Sequence, residues 1–183
     1  ESGRMHRLAL NLLDLARLDA GTADLQMSPL DLTVLLNAIA EKFSPLAAHA
    51  GVTVAAQSDA LPPLTGDGDR LAQVFTNLVD NALKFTPEGG DIAIQLENRL
   101  SGVEVYIADT GIGIAKADQA YIFERYKQLS KTCFSKKGMG LGLAIVKKIL
   151  DLHQVNINVK SAPGEGTTFW FELPVFHKAN FAF

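Results

Sequence analysis

The stretch Asn77-Leu-Val-Asp-Asn-Ala-Leu-Lys-Phe85 places three polar side chains inside an otherwise apolar segment. From Asp67 onward, apolar residues recur at steps of three and four, which predicts a helix with one face in a core and Asp67 as its N-cap. The apolar set is Leu71, Val74, Phe75, Leu78, Val79 and Ala82. At about 100° per residue, Asn77, Asn81 and Lys84 fall in one narrow stripe beside that face.

This polar stripe has two interpretations. An amide oxygen can ligate Mg²⁺ and a lysine can hold phosphate oxygens, so the three side chains suit a metal-nucleotide complex. Alternatively, the stripe is a solvated helix flank with capping amides. The helix by itself does not decide between them.

Length and composition bound the class of protein. The chain has 183 residues, 48% hydrophobic and 20% charged, which suits one globular domain or one domain plus an appendage. A net charge of −3 gives no reason to expect a nucleic-acid partner. A single cysteine, Cys133, excludes an internal disulfide framework and fits a reducing compartment. No apolar run approaches the roughly 20 residues of a membrane span, so we expect a soluble cytoplasmic domain, whose parent protein could still carry an anchor.

The order of predicted elements defines the fold class. We expect helices over residues 2–20, 31–50, 67–85 and 139–152, and a short helical segment within 116–123. We expect strands over residues 25–28, 52–57, 91–97, 103–108, 155–160 and 167–173, with 61–66 as a loop. Helices and strands do not alternate one for one. This order predicts an α+β fold: a two-layer sandwich with a mixed, mostly antiparallel sheet, helices on one face, and an N-terminal bundle helix.

A second polar cluster, Asp109-Thr-Gly-Ile-Gly-Ile114, follows a predicted strand. A carboxylate at a strand end accepts hydrogen bonds, and glycines let the backbone turn closely around a flat ligand. Asp109 could therefore accept a hydrogen bond from the exocyclic amine of adenine. A plain Asp-Gly turn is the alternative.

A third cluster, Gly138-Met-Gly-Leu-Gly-Leu143, opens the predicted helix that ends at Leu152. Glycines at a helix start bring backbone N–H groups and the positive end of the helix dipole up to an anion such as phosphate. No Gly-Lys-Ser/Thr follows, and the spacing is not that of a dinucleotide fingerprint. Tight packing explains the glycines equally well.

The long connection over residues 109–138 is the fourth feature, because connections of this length are usually functional or mobile. Phe123 supplies an aromatic anchor. Four lysines after it make the segment locally basic, which would attract a nucleotide: Lys127, Lys131, Lys136 and Lys137.

In their order and spacing, these four motifs resemble the catalytic ATP-binding domain of sensor histidine kinases. These belong to the GHKL family, with DNA gyrase, the 90-kDa heat-shock chaperone and the mismatch-repair ATPases. The resemblance covers residues 1 to about 175. Residues 77–85 match the N box, 109–113 the first glycine box, Phe123-Glu-Arg the F box, and 138–143 the second glycine box.

The resemblance implies ATP and Mg²⁺ as cofactors, catalytic roles for Asn77 and Lys84, and Asn81 as the metal ligand. Phe85 and Ile114 would pack against adenine, whose amino group Asp109 would bind. The implied nucleotide-binding set is Asn77, Asn81, Lys84, Phe85, Asp109, Gly111, Gly113, Ile114, Phe123, Gly138, Gly140, Leu141, Gly142 and Thr167. Residues 114–137 would form the ATP lid; Lys137 stands where many members have glycine.

The resemblance also implies how the chain is divided. Residues 1–21 would be the second helix of the dimerisation and histidine phosphotransfer hairpin, 22–30 a linker, 31–175 the catalytic domain, and 176–183 a tail. The helix that carries the phosphoacceptor would lie outside this chain, because none of its histidines has the His-Glu or His-Asp context of the family. These are His6, His49, His153 and His177.

The implied function is that of an ATP:protein-histidine phosphotransferase in a two-component system, a fragment that would not autophosphorylate alone. Its partners would be ATP or ADP, the phosphoacceptor hairpin of the same or a partner subunit in a homodimeric parent, and a response regulator receiver domain. ATP-hydrolysing relatives have a glutamate where this chain has Asn77, which cannot act as a general base. The alternatives are a nucleotide-sensing or scaffold module without kinase activity, and a serine kinase.

Overall fold

The computed structural model describes residues 2–21, 24–124 and 140–175, and within these ranges it shows five helices and seven strands. The helices are α1 (Ser2–Asp19), α2 (Leu32–Ala50), α3 (Gly68–Phe85), α4 (Lys116–Gln119) and α5 (Gly142–Leu152). The strands are β1 (Ser28–Leu30), β2 (Thr53–Ser58), β3 (Leu64–Gly66), β4 (Asp91–Asn98), β5 (Gly102–Asp109), β6 (Asn158–Ser161) and β7 (Thr167–Pro174).

Five strands form one sheet in the order β2-β4-β5-β7-β6. β2 runs parallel to β4, whereas each of the other neighbouring pairs is antiparallel. Ile94 of β4 lies opposite Ile107 of β5, and Asp109 at the end of β5 lies opposite Thr167 at the start of β7. The prediction of a mixed, mostly antiparallel sheet in an α+β fold is confirmed.

One face of this sheet is buried beneath the helices. Along β5, the buried Val103, Val105 and Ile107 alternate with the half-buried Glu104 and Tyr106, as expected when successive side chains point to opposite faces. α2 and α3 contact strands of the sheet, and α5 packs on α3. The core therefore lies between a helical layer and a sheet.

α3 is the central helix of the helical layer, because it contacts α2, α5 and two strands. Its buried residues are those predicted from the apolar steps: Leu71, Val74, Phe75, Leu78, Val79 and Ala82. The Asp67 carboxylate caps the helix by accepting from Arg70 N at 3.0 Å, and it also accepts from Gln26 N at 2.9 Å. The predicted N-cap is confirmed, and the cap also holds the segment before β1.

A second, two-stranded sheet differs from the sequence prediction. β1 spans Ser28–Leu30 rather than 25–28, and β3 lies inside the segment 61–66 expected to be a loop. The two strands pair with each other, Ser28 opposite Gly66 and Leu30 opposite Leu64. Three-residue strands are too short to show alternation, and their pairing joins distant parts of the chain. The pattern of neighbouring residues therefore could not reveal them.

Three further boundaries differ from the prediction by more than one residue. α5 begins at Gly142 rather than 139, because Gly140 has a φ of +66°, a left-handed conformation that a helix cannot include. The helical segment expected within 116–123 is confined to Lys116–Gln119. β6 begins at Asn158 rather than 155, since Val155 is still bonded through its N–H to the Leu150 carbonyl at the end of α5.

α1 packs on the helical layer through its second half. Leu15 and Leu18 are buried and α1 contacts α5, whereas Met5 is 71% exposed. The apolar seam of this helix, which recurs at steps of three and four, is therefore covered along part of its length; its residues are Met5, Leu8, Leu12, Leu15 and Leu18. Across the part of the chain that the structure describes, no helix is both long enough and apolar enough to cross a membrane.

A polar cluster ties α1 to α3. Arg70 Nη1 donates to Asp14 Oδ1 at 2.8 Å and to Gln73 Oε1 at 3.0 Å, and Gln73 Nε2 donates to Asp14 Oδ2 at 2.7 Å. Arg70 and Gln73 lie on the turns of α3 that precede Asn77, so α1 is attached next to the polar stripe.

We expect Asp67→Ala to destabilise the fold more than Asp31→Ala, which removes the corresponding cap of α2. Asp31 is exposed and accepts from Val34 N, whereas Asp67 is 5% exposed and accepts from two backbone N–H groups. Loss of an exposed cap costs about 1 kcal/mol, and loss of the buried one about 2–3 kcal/mol because two N–H groups lose their acceptor. Urea unfolding of both variants measures the difference; equal losses would contradict the structural role given to Asp67.

Candidate functional site

The polar stripe of α3 meets the start of α5. A Cβ added to Gly142 would lie 3.8 Å from Oδ1 of Asn77, which places this amide beside the first residue of α5. Asn77 Nδ2 is buried and has no hydrogen-bond partner among the described residues. An unpaired buried donor costs about 1–3 kcal/mol, so a ligand acceptor would be favoured at this position.

The N-terminus of α5 lacks a side-chain cap. Leu141 occupies the cap position with its own side chain 1% exposed, and it makes no capping hydrogen bond. Leu141 thus provides no acceptor for the first backbone N–H groups of this eleven-residue helix, and no side chain of the described residues is seen to accept from them next to Asn77. Of the predicted second glycine box, Gly140, Leu141 and Gly142 lie here, whereas Gly138 lies outside the described residues.

Asn81 and Lys84 continue the stripe toward the C-terminus of α3, and both are half-buried. Lys84 Nζ forms an ion pair of 2.6 Å with Asp80 Oδ2 one helical turn before it, and the two side chains are 33% and 47% exposed. A pair this exposed contributes at most about 1 kcal/mol. Lys84 can therefore leave Asp80 and pair with an anion that carries more charge.

Asp109 is fixed by the backbone at the end of β5. Its Oδ1 accepts from Gly111 N at 2.8 Å and from Thr167 N at 3.2 Å, and Oδ2 accepts no bond within the described part of the chain. Burial raises the pKa of the Asp109 carboxyl, and the two N–H donors oppose that shift. The result is a half-buried carboxylate with one oxygen committed and the other available as an acceptor.

The loop after Asp109 is held between α3 and the turn before β7. Ile112 N donates to the Phe85 carbonyl at 3.2 Å, and a Cβ on Gly111 would lie 2.5 Å from that oxygen. Gly113 has a φ of +72°, and a Cβ there would lie 1.8 Å from the Ala162 carbonyl. Both positions require glycine because the backbone of another segment occupies the side-chain space.

Two polar residues that the sequence prediction did not include join this loop to β6. Ile114 N donates to Ser161 Oγ at 2.7 Å, and Gln119 Nε2 donates to the carbonyls of Ile114 and Ser161 at 2.9 and 2.8 Å. Neither residue belongs to a motif or to an apolar pattern. Their contacts arise from the tertiary fold, so no signal in the neighbouring sequence could have identified them.

Phe123 packs edge-on against Phe169 of β7, with ring centroids 6.1 Å apart and an interplanar angle of 70°. Phe123 has two predicted roles, as an aromatic anchor and as a nucleotide-binding residue. The contact with Phe169 of the sheet corresponds to the anchoring role. The lysines predicted to make the following segment basic lie outside the described residues.

α3 connects the two ends of the site. Asn77 lies beside α5, and Phe85 lies beside the loop that follows Asp109. At 1.5 Å per residue these positions are about 12 Å apart along the helix axis. The structure thus brings the predicted residues of α3, the first glycine box, the start of α5 and Thr167 to one elongated site.

The fold and the site geometry define an α+β sandwich domain with an elongated candidate site along its central helix. Residues 66–177 match the family described as "Histidine kinase-, DNA gyrase B-, and HSP90-like ATPase". This chain belongs to that family.

Similar proteins include sensory proteins and kinases. The chain is 37% identical to Drug sensory protein A of Synechocystis sp., over 96% of this chain and 28% of that protein. The structure of full-length ShkA in complex with AMPPNP superposes with a TM-score of 0.83 at 36% identity, over 95% of this chain and 37% of the other. The nucleotide-free catalytic domain of the histidine kinase ThkA has a TM-score of 0.73 at 27% identity, over 82% and 96% of the two chains. The chain therefore spans less than a third of the curated relative.

Gly166→Ala and Gly164→Ala form a matched pair for testing the closure of the site. Both glycines have left-handed φ angles, +80° and +79°, so each substitution carries a strain of about 1–2 kcal/mol. A Cβ on Gly164 meets nothing within 4 Å, whereas one on Gly166 would lie 1.9 Å from the Asp109 carbonyl. We expect Gly166→Ala to lower the free energy of unfolding clearly further in urea titrations. Equal losses would show that β5 and the turn before β7 are not in such close contact.

Proposed function

We propose that this chain is the catalytic domain of a two-component sensor histidine kinase, which binds Mg-ATP and transfers the γ-phosphate to a histidine. The observation that carries the proposal is the elongated site along α3. The Nδ2 of Asn77, which has no partner among the described residues, lies at one end and the Asp109 carboxylate at the other. Membership of the ATPase family and the likeness to the ThkA catalytic domain support this choice of ligand and reaction.

The adenine base would lie at the Asp109 end. Oδ2 of Asp109 would accept from the exocyclic amine, because Oδ1 is already held by backbone N–H groups. Phe85 and Ile114 would pack on the base; Ile114 is 8% exposed and Phe85 is half-buried. Gly111 and Gly113 bring the backbone close around this pocket, and Thr167 closes it from β7.

The phosphates would lie at the α5 end. Backbone N–H groups at Gly140, Leu141 and Gly142, at an uncapped helix start, suit anionic oxygens, and the Nδ2 of Asn77 would donate to the same group. Lys84 would leave Asp80 to contact a phosphate. We assign Gly138 to the same role from the sequence motif.

The metal would enter with the nucleotide. Within the described ranges, no group of three or more His, Cys, Asp or Glu side chains could hold a metal ion. One amide oxygen, that of Asn81, fits Mg²⁺ if the phosphates supply further oxygens. Bound Mg²⁺ would neutralise part of the phosphate charge.

Transfer to a protein partner is favoured over hydrolysis. Asn77 lies one helical turn before Asn81, the proposed metal ligand. Its amide cannot take a proton from water. Phosphoryl transfer requires positioning and neutralisation of charge rather than covalent chemistry by the protein. Asn77 and Lys84 would supply these as the catalytic residues.

α1 would be the second helix of the dimerisation and phosphotransfer hairpin. Its apolar seam is covered by the domain at Leu15 and Leu18 but is exposed at Met5. In this division residues 1–21 belong to the hairpin, 22–30 to a linker, 31–175 to the catalytic domain and 176–183 to a tail. The parent would be a cytoplasmically active homodimer whose phosphohistidine is relayed to a response regulator aspartate.

We expect the chain to label a separately supplied phosphoacceptor hairpin of its parent protein from [γ-³²P]ATP, and Asn81→Ala to abolish both Mg-ATP binding and labelling. Asn37→Ala is the matched control, because Asn37 is an exposed asparagine of α2 far from the stripe in sequence. Circular dichroism of both variants checks that the fold is intact.

Two outcomes would change the assignment. If Asn81→Ala binds Mg-ATP with unchanged affinity, Asn81 is not the metal ligand. If the unaltered chain binds ATP but leaves the hairpin unlabelled where an intact kinase labels it, the chain is a nucleotide-sensing or scaffold module.

Asp109→Asn should weaken ATP binding about 10- to 100-fold and reduce the preference for ATP over GTP, because an amide donor would replace the acceptor that faces the adenine amine. Isothermal titration with both nucleotides measures the change. Asp69→Asn, an exposed carboxylate of α3, is the control for loss of charge. An unchanged preference would remove Asp109 from the base pocket.

The same variant gives a pH test. The pKa of Asp109 is raised in the folded protein, so the ionised carboxylate lowers the stability of the fold at pH values above that pKa. This loss of stability is relieved as the pH falls through the raised pKa. ATP affinity should change in the opposite direction and fall as the pH is lowered, because protonation of Asp109 removes the acceptor for the adenine amine. The affinity of the unaltered chain, relative to Asp109→Asn, should therefore fall as pH is lowered.

A further inference from the structure

We infer that Ser161 is a specificity-determining residue that acts through Thr167: it fixes the Thr167 hydroxyl as an acceptor beside the Asp109 carboxylate. This inference rests on the proposed function, because the ligand at this pocket is taken to be ATP. Ser161 is a positioning residue, since its own hydroxyl is used entirely within the protein.

The Ser161 hydroxyl makes three contacts, which is the most that one donor and two lone pairs allow. Its Oγ accepts from Ile114 N at 2.7 Å, its proton is directed at the Gly166 carbonyl at 2.7 Å, and the Thr167 Oγ1 lies 3.0 Å away. A backbone N–H can only donate and a carbonyl can only accept. The remaining lone pair of Ser161 must therefore accept from the Thr167 hydroxyl.

The reverse direction between the two hydroxyls is unfavourable. If Ser161 donated to Thr167, the Gly166 carbonyl would lose its donor, and Gly166 is buried. A buried carbonyl without a donor is costly. The proton of Thr167 is thus committed to Ser161, and its oxygen lone pairs are left for other contacts.

Thr167 lies where the direction of its hydrogen bond with Ser161 would affect a ligand. It is 7% exposed, lies opposite Asp109 in the sheet, and donates its backbone N–H to Asp109 Oδ1. Both side chains are at strand ends on the helix-facing side. Because the Asp109 Oδ2 also accepts, the two side chains present acceptors without a donor. Such a pair favours a base with an amine at position 6 and disfavours one with a carbonyl there.

Removal of the Ser161 hydroxyl would free the Thr167 hydroxyl to rotate and to donate to a 6-carbonyl. The Gly166 carbonyl and the Ile114 N–H would lose their partner, which lowers stability. The backbone should stay in place nevertheless, because the Ser161 carbonyl still accepts from Gln119 Nε2 at 2.8 Å and the β6–β7 pairing does not use the side chain. The predicted signature is a loss of discrimination rather than a uniform loss of affinity.

ATP and inosine triphosphate test this inference, because inosine carries a 6-carbonyl in place of the 6-amine. We expect the ratio Kd(ITP)/Kd(ATP), measured by isothermal titration on the full chain with Mg²⁺, to fall about tenfold in Ser161→Ala. Ser161→Thr, which keeps the hydroxyl, should retain the ratio. If Ser161→Ala does not fold, Ser161→Cys replaces it with the same expected direction, since a thiol is a weak donor and acceptor.

A double-mutant cycle shows whether Ser161 acts through Thr167. In a Thr167→Val background, adding Ser161→Ala should leave the ratio within about twofold. The inference is overturned if Ser161→Ala weakens ATP and ITP equally, as a merely structural role would, or if its effect on the ratio persists with Thr167→Val. If the unaltered chain binds neither nucleotide, the proposed function fails as well. If it binds ATP selectively and the ratio does not respond to Ser161, the inference alone fails.

Discussion

The register of β5 against β7 at Asp109 and Thr167 is the constraint on which the rest of the site depends. Side chains alternate between the two faces of a strand, so a slip by one residue would turn Thr167 away from the helices and separate its N–H from the Asp109 carboxylate. The close approaches at Gly113 and Gly166 leave no room for such a slip. The pocket is therefore determined by backbone contacts, and its side chains take their positions from them.

The site concentrates groups that a stable core would avoid. Within the described ranges, the Nδ2 of Asn77 is buried without a partner, the Asp109 carboxylate is partly desolvated, and Leu141 provides no side-chain cap for α5. Each of these arrangements is unfavourable by itself and would become favourable if a complementary group bound. The apolar face of α3, buried along the whole helix, offsets these costs. One helix thus stabilises the fold with one face and presents the proposed binding groups beside it.

Local patterns in the sequence predicted the parts of the structure that local physics determines. The apolar steps of α3, its cap at Asp67 and the alternation along β4 were sufficient for those elements, and the order of the elements was sufficient for the α+β class. The pairing of β1 with β3 and the contacts of Ser161 were not predictable, because they join segments far apart in the chain. The structure brings the predicted residues of α3, the first glycine box, the start of α5 and Thr167 to one site. Their roles in binding nucleotide and metal, including that of Asn81 as a metal ligand, remain predictions.

The attachment of α1 combines two kinds of contact that respond differently to the solvent. Leu15 and Leu18 are buried and α1 contacts α5, while Asp14 bonds to Arg70 and Gln73 of α3. Gln73 and Asn77 are one helical turn apart, so the polar contact lies next to the proposed phosphate end rather than the base end. The side chains of Arg70 and Asp14 are 25% and 23% exposed, so dissolved salt weakens this ion pair while leaving the burial of the two leucines unchanged.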